Sequence, residues 1–213
     1  MLTPPHHPEI DHHTTKLIVG ITALSLGHLT NLFADAPLAS ISASYHAGGW
    51  SQSIFIGFLF ATAAFLMAYN GYSTPDKLTS KVAAGAALGV ALFPCGCDGH
   101  AELVPYVHAL SAAVMFLILT YFCYGFFRRA WAKRHPWART RAYIYAACGA
   151  VMALSILVLT ADHLSGGYFS AIAPRLTFHG EYASLVAFGV SWLTASRMLP
   201  FITKKDERLS LLR

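Results

Sequence analysis

Six apolar runs, 17–33, 50–69, 82–93, 105–127, 142–161 and 178–199, divide the chain, and between them Pro, Gly, Ser and charged residues collect. Most run close to the length a helix needs to cross a bilayer, and the periodicity within them is helical rather than alternating. In the first run Ser25, His28 and Asn31 recur at three-residue spacing and share one helical face, which is expected to look toward protein rather than lipid. Asn31 reads more readily as interhelical glue than as a ligand. The third run is rich in small residues, with Gly85 and Gly89 at the spacing that lets two helices approach closely. Aromatic residues crowd the end of the fourth, from Phe116 to Phe127, as packing and interface anchors. The pattern predicts an all-α fold, a polytopic six-helix transmembrane bundle over 17–199, with a polar tail at 1–16 and a basic tail at 200–213.

Composition supports a bilayer as the solvent. Of 213 residues, 55% are hydrophobic and 12% charged, and the mean hydropathy is +0.50; an ordinary soluble domain carries about 25% charged residues. The net charge of +5 does not indicate nucleic acid, because the cations sit in short loops between apolar runs. The segment RRAWAKRHPWARTR has seven basic residues, counting His135, and no acid. It is assigned to the cytoplasm, together with the loop holding Lys77 and Lys81 and the tail KKDERLSLLR. Six crossings then put both termini on the cytoplasmic side of an inner (plasma) membrane. The N-terminus MLTPPHHPEIDHHTTK lacks a basic patch leading into an apolar core, so no cleavable signal peptide is expected.

With that threading, the three remaining connections share the opposite face, and they hold most of the chain's candidate chemistry. His46, Asp98, His100, Asp162 and His163 lie in loops, while His108 and His179 sit at outer helix ends. Imidazole with carboxylate is a zinc ligand set, and a three-ligand site with an open position acidifies bound water into a nucleophile. His108, His163 and His179 are the expected ligands, with His46 and His100 nearby. Asp98, Asp162 or Glu181 would act as general base or orient a ligand. The spacing of Cys95 and Cys97 closes a small, strained ring as a disulfide; a soft metal held with His100, or packing at a helix end, are the other readings. His6, His7, His12 and His13 fall on the opposite side, in the N-terminal tail.

Two further classes fit the same residues. Histidines on facing helices hold a b-type haem, and His108 with His163 or His179 lies at comparable depth. A non-enzymatic accessory subunit, docking a partner membrane subunit or a second copy of itself through the histidine face, also suits so small a chain. Membrane lipid is the expected partner in every case.

The order SIS, then IFIGFLFATAAFL ending in YNGY, then a small-residue helix, then HALSAAVMFLILTYF, then FHGEYASLVAFGVSW resembles the six-helix bacterial membrane proteins related to the FRAG/DRAM group. The resemblance covers 40–192 and implies a six-helix bundle with roles in lipid or glycolipid handling. It points to His108 and Glu181, with Ser40 and Ser42 in the first outer loop. A more distant resemblance is to the membrane hydrolases that include alkaline ceramidases and adiponectin receptors. That family's serine followed four residues later by histidine is matched by Ser42 and His46, which implies a zinc hydrolase.

Overall fold

The computed structural model describes residues 12–97 and 99–204. Asp98 therefore lies outside the described residues, as do His6 and His7. The described residues form eight α-helices and no strand: α1 (His12–Leu32), α2 (Ser44–Ala47), α3 (Gly49–Ala68), α4 (Thr74–Leu92), α5 (Val107–Ala132), α6 (Pro136–Leu164), α7 (Tyr168–Ile172) and α8 (Leu176–Ala195), followed by a 3-10 turn at Pro200–Ile202. By length and composition, three of them are able to cross a membrane: α3, α5 and α6.

Sequence-local rules account for the boundaries. At the start of α4, Ser73 accepts the Asp76 backbone N–H at 3.3 Å, Pro75 occupies the first turn, and Asp76 accepts the Tyr72 N–H at 3.1 Å. That helix stops at Pro94. The residue before a proline is driven to extended backbone, and Phe93 sits at φ −109°, ψ 112°. Its N–H closes on Gly89, while its carbonyl points away from the finished helix. α6 starts at Pro136, where a missing N–H costs nothing.

The six long helices pack as a closed ring in the order α1, α3, α4, α5, α6, α8 and back to α1, with α5 also reaching across to α8. The centre is aromatic: Trp192, fully buried, is in ring contact with Tyr69, Phe122, Phe126 and Phe188. α1 and α8 approach through glycine. A Cβ on Gly189 would meet Leu24 Cγ at 2.6 Å and the Gly20 carbonyl at 2.9 Å. In α4, Gly89 lies against Ser111 of α5, whereas a Cβ on Gly85 would meet nothing. Only one half of the Gly85/Gly89 pair is thus used for close approach. Asn31 ties α1 to the start of α8, its Oδ1 accepting from Arg175 Nη2 at 2.6 Å, while His28 is exposed.

Two kinds of end result. One gathers the 33–48 connection, the 93–106 connection and the starts of α5 and α8. The other gathers the start of α1, the 69–73 connection and the cationic ends of α5, α6 and α8.

Candidate functional site

The first end holds a serine, a histidine and a glutamate in contact. Ser42 lies in the turn before α2, buried, and this turn is fastened to α8: Phe178 N–H donates to the Ala39 carbonyl at 3.0 Å, and Ile41 N–H donates to Glu181 Oε2 at 2.6 Å. Within the turn, Ala43 N–H donates to Ser40 Oγ at 3.0 Å. These bonds fix the backbone on both sides of Ser42. Its Oγ lies 3.0 Å from His108 Nε2 and 3.5 Å from Glu181 Oε1.

The histidine's proton assignment follows from its other neighbour. His108 Nδ1 is 2.7 Å from the Phe93 carbonyl, which only accepts, so Nδ1 carries the hydrogen and Nε2 of the neutral ring offers its lone pair. Ser42 then donates to Nε2, the nearer of its two acceptors. The contacts match the spacing of a hydroxyl, an imidazole and a group that orients the imidazole. The orienting group is the backbone carbonyl of Phe93, just past the end of α4. His108 is 5% exposed, so this polar contact is made out of bulk water.

Beside it lies a recess of about 30 Å³ lined by Ser42, Glu181 and apolar side chains that include Leu59, Met115, Phe116 and Leu185. It is apolar apart from Ser42 and Glu181 and has room for little more than a water-sized group.

A second group lies in the neighbouring connections. His46 Nε2 donates to the Cys95 carbonyl at 2.9 Å, its ring stacks on His100 at 4.0 Å between centroids, and His100 Nδ1 is 3.3 Å from the Cys97 carbonyl. Cys95 and Cys97 are joined as a disulfide. Ligand atoms of His46, Cys95 and Cys97 lie within 4.8 Å of one another, but the two sulfurs are bonded to each other and are not thiolate donors in this state.

The expected zinc set is distributed differently. His108 belongs with Ser42, His46 with Cys95 and His100, and His163 and His179 are exposed and enter neither group. Both nitrogens of His108 are engaged in these contacts. Asp162 accepts the N–H groups of Phe169 and Ser170 at 2.8 and 2.9 Å, which makes it the anchor of α7. Ser42 pairs with His108 across 66 positions rather than with His46 four residues on.

No protein-family model matches the chain. No significant match emerges among curated proteins or solved structures either. The site is therefore read from its own geometry. The Phe93 carbonyl is not marked by the sequence pattern; Pro94 ends α4 at this point and leaves the carbonyls of its end without helical partners.

Proposed function

We propose that this chain is a polytopic inner (plasma) membrane protein with six crossings and both termini cytoplasmic, and that it cleaves or transfers an acyl ester of a membrane lipid through Ser42. The single observation that carries the chemistry is the 3.0 Å contact between Ser42 Oγ and a His108 whose tautomer is set by Phe93. Membrane insertion is supported by α3, α5 and α6, whose apolar windows are less than a third buried, only 17% for α6. Large apolar side chains such as Leu110, Leu117, Leu154 and Leu157 are more than half exposed.

In this reading the Ser42 oxygen adds to the ester carbonyl as its proton passes to His108 Nε2. Collapse of the adduct breaks the ester bond, and His108 returns the proton to the departing alcohol oxygen. Water, or an acceptor alcohol, then attacks the acyl-Ser42 ester with His108 again taking the proton, and Ser42 is restored. Glu181 positions the nucleophile by holding Ile41 N–H.

The test is covalent labelling by a fluorophosphonate and release of fatty acid from phospholipid and glycolipid vesicles by the purified full chain. Ser42→Ala is expected to abolish both; His108→Gln is expected to slow release by about 10²–10⁴-fold. Equal labelling and release by wild type and Ser42→Ala would overturn the proposal, as would the absence of both from folded wild type.

His46, Cys95 and Cys97 favour a second role for the same face. With the two thiols reduced, they supply three zinc donors and an open fourth position. Bound zinc would supply Lewis acidity there, and the residues named would hold it. Elemental analysis of reduced protein is expected to show zinc that His46→Ala loses; reduced wild type free of zinc after equilibration with the ion would remove this role and leave the Ser42 chemistry standing.

A further inference from the structure

Within the bundle, away from both ends, three sulfur atoms meet where α5, α6 and α8 adjoin. Cys123 of α5 and Cys148 and Met152 of α6 are buried, the first and last of them completely, and neither cysteine is in a disulfide. Cys148 and Met152 stand four residues apart in sequence and so share one face of α6. Gly149 lets α5 close on that face: a Cβ there would lie 3.4 Å from Cys123 Cβ. Cys123 Sγ consequently reaches Met152 Sδ at 3.8 Å. From α8, Ser191 closes the group, its side chain lying against Cys123 and its backbone against Cys148. Packing asks only for volume at these positions, and alanine or leucine would supply it without sulfur. Two thiols and a thioether gathered at one point are a set of soft ligands.

We infer that Cys123, Cys148 and Met152 bind a soft monovalent metal ion, copper(I). Thiolate and thioether together select copper(I), whereas zinc takes its sulfur from cysteine and not from methionine. The separation fits a shared ion: two sulfurs at the roughly 2.3 Å of a metal–thiolate bond, held at a tetrahedral angle, stand roughly 3.8 Å apart. The ion enters already reduced, so no electron moves. It displaces the proton of one thiol to water, and the charges of thiolate and ion then cancel inside an apolar interior where a bare cation would be costly. Cys123 stands about four turns along α5 from the end that holds Ser42, Cys95 and Cys97. The site therefore depends on neither role proposed for that end.

The experiment uses the full chain in a neutral detergent, as wild type and with both Cys95→Ser and Cys97→Ser, which leaves Cys123 and Cys148 as the remaining thiols. Protein made in cells grown with added copper is assayed for copper per folded chain, and copper(I) is then titrated against a chromophoric copper(I) chelator under ascorbate without oxygen. Both forms are expected to hold copper, with sulfur neighbours alone at the metal in X-ray absorption of the double-serine form. Cys123→Ser removes one donor; Met152→Leu keeps the volume and loses the thioether, and serves if the first variant fails to fold. Each is expected to weaken copper(I) binding by about tenfold or more. Folded protein without copper, copper that is lost with Cys95 and Cys97, a metal held by nitrogen or oxygen, or unchanged affinity in the folded Met152→Leu variant would overturn the inference.

Discussion

A hydroxyl has one proton to give, and at Ser42 two acceptors compete for it. Distance favours His108 over Glu181, 3.0 against 3.5 Å, and the Phe93 carbonyl removes the ambiguity at the imidazole. The arrangement makes the base depend on a backbone atom that no substitution at position 93 removes. Replacing Pro94 is the direct way to reach it. Pro94→Ala lets α4 continue for another residue and is expected to lower Ser42 labelling several-fold while the protein remains folded by gel filtration. At the other end, Asp76 is 4% exposed and serves both Arg129 and the Tyr72 N–H. Asp76→Ala is expected to cost on the order of 2 kcal/mol, less than a fully buried pair because Arg129 keeps 35% exposure. Thermal unfolding in detergent measures it.

Helices were the most legible elements, because an apolar run bounded by Pro, Gly or charge leaves few alternatives. The third run ends at Pro94 as the structure has it, whereas α1 begins at His12, α4 at Thr74 and α6 at Pro136, ahead of the apolar runs, since capping and first-turn residues are polar. What the pattern cannot convey is which face of a helix meets which neighbour. Gly85 and Gly89 look alike in sequence, yet one faces open space and the other packs on Ser111. Gly85→Ala is therefore expected to be neutral or to stabilise by up to about 1 kcal/mol, through lower backbone entropy in the unfolded chain. Gly189→Ala, which pushes against Leu24 and the Gly20 backbone, is expected to destabilise by about 1–3 kcal/mol. The difference in Tm between these two variants reads the α1–α8 contact directly.

For the whole molecule, the sequence places polar chemistry at one end and cations at the other, and the contacts agree: Ser42, His46, His100, His108 and Glu181 meet at one end, Lys16, Arg129, Arg141 and Arg197 at the other. How the first group sorts into Ser42–His108–Glu181 and His46–Cys95–Cys97 was not legible, because pairing across 66 and 139 positions is decided by helix rotation. The proposed sidedness is tested by single cysteines introduced at Ala101 and Arg134 in a background lacking the native thiols. An impermeant maleimide is expected to label the first on intact cells and the second only after lysis; the reverse pattern would reject the orientation.

Because the ring closes through α1 and α8, the chain's opening helix waits for its last neighbour until synthesis is almost done. Ser42 emerges early, but the carboxylate that clamps its turn is encoded 139 residues later. A nascent chain thus carries Ser42 through most of its synthesis without the carboxylate that holds its turn. Under the proposed acyl chemistry, chains truncated before Leu176 lack Glu181 and are expected to show no Ser42 labelling.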